Sequence, residues 1–288
     1  MQEILEMLQD TAIDTIKLLP FLFITYLIME YIEHKTSNKV KDVIKKSGKF
    51  GPLLGAIVGI FPQCGFSVSA TNLYAGRVIT LGTLISVYLA TSDEMLPILL
   101  TEAVPAGTIF TILGIKLVLG IVAGFIIDFV IRMFRKEKVE EQEEKIEEIC
   151  EHEHCHCEEG IVTSAIKHTL NITIFIFFIT LVLNGIIAYI GEDTIAHFIS
   201  KNVILGPIVA GLIGLIPNCA SSVVITQLYL ENVISFGAMM SGLLTGSGVA
   251  ILVLFKVNKN LKENLKILGL VYIIGVISGI IIELINIV

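Results

Sequence analysis

Charge is scarce in this chain. Asp, Glu, Lys and Arg make up 16% of its 288 residues against 54% hydrophobic ones, and the mean hydropathy is +0.84. That scarcity argues against an ordinary soluble domain, because the apolar runs at 15–32, 106–131, 169–190 and 267–287 each reach the roughly 20 residues a membrane helix needs. Other things are missing too. No nucleotide-binding motif is present, so ATP is not expected to drive this chain directly, and without a His-Glu-x-x-His helix there is no hydrolytic zinc site. Met1 is followed by neither a basic leader nor a cleavage site, so the first apolar run reads as the first span rather than a secretory signal. A disulfide framework is also lacking. Of five cysteines, Cys64 and Cys219 lie in apolar stretches while Cys150, Cys155 and Cys157 lie in an acidic, histidine-bearing one, a distribution that suits reduced thiols. The net charge of −7 says little about partners, since the acids concentrate in 137–159; a nucleic-acid partner is not expected.

What is present is a duplication. The stretch from Gly51-Pro52 to Pro62-Gln63-Cys64 returns as Gly206-Pro207 to Pro217-Asn218-Cys219, and 206−51, 217−62 and 219−64 all give 155. At that offset Gly59 meets Gly214, Ser67 meets Ser222, Thr71 meets Thr226, Leu73-Tyr74 meets Leu228-Tyr229, Gly82 meets Gly237 and Ser86 meets Ser241. Two homologous halves in a hydrophobic chain are the pattern of a secondary transporter.

Basic residues beside spans stay in the cytoplasm. Lys35, Lys39, Lys41, Lys45, Lys46 and Lys49 follow the first run; Arg132, Arg135, Lys136 and Lys138 follow the run at 106–131; Lys256, Lys259, Lys262 and Lys266 precede the last. These three loops are expected inside. Residues 1–10, which carry only acids, and 191–205, with Glu192, Asp193 and Lys201, are expected outside. The repeat at 51–76 then begins beside a cytoplasmic loop and ends at Arg77, which is most simply explained if it never crosses. A half-helix over Gly51–Phe61 would reach about 16 Å, close to half the hydrocarbon thickness of about 30 Å, and turn at Pro62-Gln63-Cys64-Gly65. The fold expected is an all-α polytopic membrane protein built as an inverted-topology repeat, each half holding three transmembrane helices and one re-entrant helical hairpin with a Pro-x-Cys tip. The first membrane repeat covers 1–133 with its hairpin at 51–76, a cytoplasmic His/Cys-rich loop covers 134–164, and the second repeat covers 165–288 with its hairpin at 206–231. Both termini would lie outside. Ten true spans are the alternative.

Irregular backbone at membrane depth is tolerated only where protein or a watery cavity surrounds it, which points to the two tips. Pro62, Gln63, Cys64 and Ser67 at one and Pro217, Asn218, Cys219, Ser221 and Ser222 at the other are the candidate substrate ligands. A second half-helix starts just after each cysteine, and its positive dipole end would favour a thiolate or hold an anion. The plainer reading has Pro and Ser capping two short helices and the cysteines filling space; duplication at one offset favours a site. The following span carries Thr91-Ser92-Asp93-Glu94, and carboxylates near mid-membrane normally mark an ion or proton path, unless both stand in water at the outer end. Asp93 and Glu94 are the candidates for proton coupling, with Lys116, midway along its run, as a buried neutralising partner. The equivalent stretch, Thr245-Gly246-Ser247-Gly248, has no acid but is broken by glycine. Asp128 and Glu283 read as interfacial.

The central loop ends in Cys150, His152, His154, Cys155, His156 and Cys157, a density of thiol and imidazole that suits zinc, copper(I) or a trivalent metalloid. The paired tips Phe61-Pro62-Gln63-Cys64-Gly65 and Ile216-Pro217-Asn218-Cys219-Ala220, with this loop between them, resemble the family of ten-segment heavy-metal exporters, whose members bear the names arsenic efflux or manganese transporter. That family is similar in turn to the organoarsenical permeases, whose motif is denser, of Pro-Phe-Cys-Ser-Cys type. Here each tip keeps one cysteine, so chelation of arsenic by thiols requires Cys64 and Cys219 to meet. The resemblance implies export of a metal or metalloid from a prokaryotic cytoplasm through the plasma membrane.

The function expected is therefore that of a secondary-active exporter working by alternating access, not an enzyme. It requires no cofactor, the metal ion being its substrate or a loop ligand. Its partners are the bilayer and the cargo, and homo-oligomer formation is compatible with the sequence. A small organic or oxo-anion held by the half-helix N-termini, Gln63, Asn218 and Lys116 is the alternative cargo. A third reading, an intramembrane enzyme or redox sensor using the cysteines as nucleophiles, is weakened by the lack of a nearby His or second thiol at either tip.

Overall fold

The computed structural model describes residues 50–62, 64–92, 95–134, 161–190 and 203–285, together with scattered helical positions between 8 and 27. Every regular element among them is an α-helix: α1 Gly51–Gly59, α2 Cys64–Ala75, α3 Leu81–Ala90, α4 Met95–Thr101, α5 Ala106–Phe134, α6 Ile161–Ile190, α7 Leu205–Gly214, α8 Ala220–Leu230, α9 Phe236–Thr245, α10 Ala250–Val257 and α11 Leu261–Ile285. Four described segments are long and apolar enough to cross a membrane, namely Leu81–Thr101, Ala106–Met133, Phe236–Val257 and Leu261–Ile285. The first and third are each two helices in line, α3 with α4 and α9 with α10, separated by a break. By contrast α1, with 9 residues, is about 14 Å long at 1.5 Å per residue, and α7, with 10, is barely longer. Neither can cross about 30 Å of hydrocarbon.

The offset of 155 recurs in the hydrogen bonds. Ser86 Oγ donates to the Pro52 carbonyl at 2.5 Å and Ser241 Oγ to that of Pro207 at 2.6 Å, tying α3 to α1 and α9 to α7. Thr80 Oγ1 accepts from Thr83 N at the start of α3, as Ser235 Oγ accepts from Ala238 N at the start of α9. These are N-cap bonds that satisfy orphan amides of a first helical turn. Arg77 and Asn232, in the connections before those helices, share a left-handed backbone with φ of 60° and 59°. Small residues set how closely the helices approach. A Cβ on Gly59 would lie 2.7 Å from the Val87 carbonyl oxygen, and one on Gly214 would lie 2.1 Å from that of Gly242, again at the common offset. Close backbone contact of this kind suits a membrane interior, where packing rather than water exclusion holds helices together.

Asp128 and Glu283, expected at an interface with water, have a structural task. Asp128 is 7% exposed and accepts from Gly82 N at 2.9 Å and Thr80 Oγ1 at 2.7 Å, while Glu283 accepts from Gly237 N at 2.8 Å. Each carboxylate thus sits on the positive end of a central helix, where negative charge is favoured. The 236–257 segment is almost wholly buried while most of 261–285 is not, so α9 and α10 form the centre and α11 the periphery. Phe110, Phe129 and Phe178 on α5 and α6, and Ile277 and Leu284 on α11, are exposed, as side chains facing lipid would be.

Helices distant in sequence interlock. α2 packs against α10, and α8 packs against α4. This exchange brings the two Pro-containing turns together. At one end of the assembly Arg77 forms a two-pronged ion pair with Glu263 of α11, Nη1 to Oε1 at 2.7 Å and Nη2 to Oε2 at 3.0 Å, and the Tyr74 hydroxyl donates to the same carboxylate. The hydrogen bonds to Glu263 raise the Arg77 pKa further above its already high ordinary value, so the guanidinium stays charged.

Candidate functional site

The first tip runs from Ile60 to Cys64 and the second from Leu215 to Cys219. Pro62 is exposed; Pro217 is partly buried and interrupts the chain so that α7 cannot continue into α8. Asn218 N donates to the Ile216 carbonyl at 2.7 Å and Asn218 Oδ1 accepts from Ala220 N at 3.1 Å, a local turn that starts α8. Cys64 is the first residue of α2, and Cys219 stands immediately before α8. Their Sγ atoms are 3.0 Å apart, within hydrogen-bond reach for sulfur, both residues are 9% exposed, and no disulfide joins them. Each tip therefore acquires in space the second thiol that it lacks in sequence. The sequence argument against a thiol-based reaction, that no second thiol lies near, does not survive this placement.

The hydroxyls of the tips are committed to their own helices. Ser67 Oγ donates to the Cys64 carbonyl at 2.8 Å and Ser222 Oγ to that of Cys219 at 2.8 Å, and Ser221 Oγ donates to that of Asn218 at 2.8 Å. Such back-bonding is the usual fate of Ser in a first helical turn. A hydroxyl whose proton is engaged presents only lone pairs. Beside two sulfur atoms, the surroundings are richer in electron-pair donors than in hydrogen-bond donors, which suits a Lewis-acidic centre better than an anion.

The helix breaks lie against the tips. Ser92 Oγ donates to the Ile60 carbonyl, linking the break after α3 to the first tip. Thr245 Oγ1 donates to the Gly211 carbonyl at 2.9 Å, and a Cβ on Gly246 would lie 3.6 Å from the Gly214 carbonyl oxygen, placing the break after α9 beside the second. Lys116 on α5 is buried, 1% exposed, and its Nζ donates to the Leu243 carbonyl in the last turn of α9 at 2.6 Å. Gln63, Asp93, Glu94 and the loop residues Cys150, His152, His154, Cys155, His156 and Cys157 lie outside the described residues. Among the described residues no group of three or more His, Cys, Asp or Glu side chains could hold a metal ion. Sequence reasoning leaves Asp128 and Glu283 unpaired, and it matches the two breaks without the exact register that sets Ser92 against Ser247. Both pairs are separated by 155 positions, so holding that one offset along the whole repeat identifies them.

A family model described as "Putative, 10TM heavy-metal exporter" matches residues 3–192 and 156–287. No curated protein and no solved structure matches the chain.

Proposed function

The chain belongs to this heavy-metal exporter family, and on that premise we propose that it is a secondary-active transporter that carries a thiophilic metal or metalloid out of the cytoplasm by alternating access. The observation that carries this reading is the 3.0 Å approach of Cys64 Sγ and Cys219 Sγ, one from each half. Two thiolates from elements that can move apart make a site that grips a soft ion when the tips meet and weakens when they separate. Soft sulfur ligands favour a trivalent arsenical, zinc or a similar ion over manganese, which prefers oxygen. Ser67, Ser221 and Ser222 supply lone pairs around the thiols, and Pro62 and Pro217 hold the turns. In this reading the arms α1–α2 and α7–α8 are re-entrant hairpins within halves 1–133 and 165–288 of opposite topology, with both termini outside. Counted as separate segments, the four arms bring each half to the five elements of a ten-segment description. Asp93 or Glu94 carries the coupling proton, with Lys116 as the neighbouring positive charge, and the loop at 134–164 gathers or senses metal in a prokaryotic cytoplasm.

Accumulation in cells expressing the wild type, Cys64→Ser or Cys219→Ser, each challenged with manganese, zinc, arsenite and a methylated trivalent arsenical, tests this. Lower accumulation of one thiophilic species, restored to the vector level by either substitution, is expected. Equal accumulation of every species in all strains defeats the heavy-metal reading.

The thiol pair also supports a second reading, a membrane redox sensor in which Cys64 and Cys219 exchange between dithiol and disulfide. A sensor would cycle with oxidant in proteoliposomes without moving any metal. Flux that persists while the thiols stay reduced excludes it.

A further inference from the structure

Among the described residues one buried side-chain nitrogen or oxygen has no hydrogen-bond partner, Ser247 Oγ, on a residue that is 0% exposed. Ser247 lies in the break between α9 and α10. At the common offset its counterpart is Ser92, whose hydroxyl is engaged by the Ile60 carbonyl of the adjacent tip. The break after α9 repeats the position without repeating the bond. A hydroxyl left unpaired in an apolar interior carries the full cost of its lost hydration, so a partner absent from the chain itself is the natural explanation.

The nature of that partner follows from what surrounds the break. Ala250 N donates to the Ser247 carbonyl at 3.3 Å rather than to its hydroxyl, and Val249, at the N-cap of α10, offers no side-chain acceptor to the first-turn amides. The starts of α3, α8 and α9, in contrast, receive Thr80, Asn218 and Ser235. Gly248, at φ 55°, permits the chain to turn directly into this uncapped end. On the α9 side, the Leu243 carbonyl, which a bound cation would seek, already accepts from the Lys116 ammonium at 2.6 Å. A hydroxyl proton and the positive end of a helix both favour negative charge. The sequence completes the argument: Asp93 and Glu94 of the first break align with Gly248 and Val249, so the second break has no acid of its own.

We propose that the break at Gly246–Val249 binds a small monovalent inorganic anion of halide size, held by Ser247 Oγ and the first-turn amides of α10. The site is distinct from the thiol pair. It stands or falls independently of the exporter reading, because anion binding can be read without cargo or flux.

The test uses the purified full-length protein in detergent, with thermal unfolding followed as chloride replaces gluconate at constant ionic strength. The midpoint of the wild type should rise saturably with chloride, and Ser247→Ala should shift the half-saturating concentration upward by about tenfold or more, as expected for a lost hydrogen bond to a charged ligand. Ser92→Ala, which removes the equivalent hydroxyl, should leave that concentration unchanged. Ser247→Gly serves as a second variant if the alanine protein does not purify. A wild type indifferent to chloride and nitrate alike, as when a water alone fills the break, overturns the proposal. So does a Ser247 variant that keeps the wild-type response.

Discussion

Cys64 and Cys219, 155 positions apart, hold their sulfur atoms 3.0 Å from each other without a disulfide. A disulfide needs about 2.05 Å, so a small movement of either tip suffices to join them. With a protease site inserted between residues 134 and 160, treatment with copper phenanthroline should let the oxidant take two electrons and two protons from the pair. The cleaved halves should then migrate together on a non-reducing gel. Cys64→Ser and Cys219→Ser should each release them. Halves that separate in the oxidised wild type would show that the sulfurs do not meet.

Asp128 and Glu283 act on equivalent helix starts but are not equally loaded. Asp128→Ala removes the bonds from Gly82 N and Thr80 Oγ1, orphaning Gly82 N and leaving Thr80 Oγ1 only Thr83 Oγ1 at 2.8 Å, whereas Glu283→Ala strands only Gly237 N among the described bonds. Each orphaned donor costs about 1–3 kcal/mol. Thermal unfolding in detergent should therefore rank Asp128→Ala below Glu283→Ala, with Glu102→Ala, exposed on the surface, close to wild type.

Gly214 tolerates no side chain. Its added Cβ would sit 2.1 Å from the Gly242 carbonyl oxygen and 2.3 Å from Thr245 Oγ1, both on α9. Gly214→Ala should force α7 away from α9 and destabilise the protein by about 1–3 kcal/mol. Gly107→Ala, where nothing lies within 4 Å, should be neutral or slightly stabilising by helix propensity. Equal unfolding midpoints for the two variants would contradict this packing.

The Arg77–Glu263 pair has no counterpart, because the offset places Asn232 and Thr108 at the equivalent positions. With side-chain exposures of 20% and 22% and two-pronged geometry, it should contribute about 1–2 kcal/mol. A double-mutant cycle of Arg77→Ala and Glu263→Ala, read by denaturant titration in mixed micelles, should return a coupling of that size. A coupling near zero would mean that the ion pair is not maintained in solution.

Deleting 148–158 removes all six loop thiols and imidazoles while leaving both membrane halves whole. Transport of the proposed cargo should persist, as expected of a loop that buffers or senses. Complete loss of transport would give the loop an obligatory place in the path.

The all-helical membrane class was legible in the sequence, because there one residue type carries one consequence. Scarce charge and long apolar runs demand a bilayer, and Pro62 and Pro217 at a common offset demand two equivalent interruptions. The offset of 155 is legible beyond Ser86 and Ser241 too, where it aligns Ser92 with Ser247 and Asp128 with Glu283. Asp128 and Glu283 were assigned to an interface although both cap helices, as a carboxylate aligned with a helix start 46 residues earlier could have suggested.

By itself the sequence determined that the chain enters a membrane, that it is doubled, and which few polar residues its apolar stretches contain. Those properties follow from local composition and spacing, which the chain carries whether folded or not. Only the tertiary structure decided which of those residues meet. The exchange of α2 onto α10 and α8 onto α4 brings Cys64 to Cys219, and the different surroundings of two equivalent breaks leave Ser247 unpaired where Ser92 is bonded. Contacts between residues 155 apart depend on how helices pack across the molecule, and no local pattern encodes that.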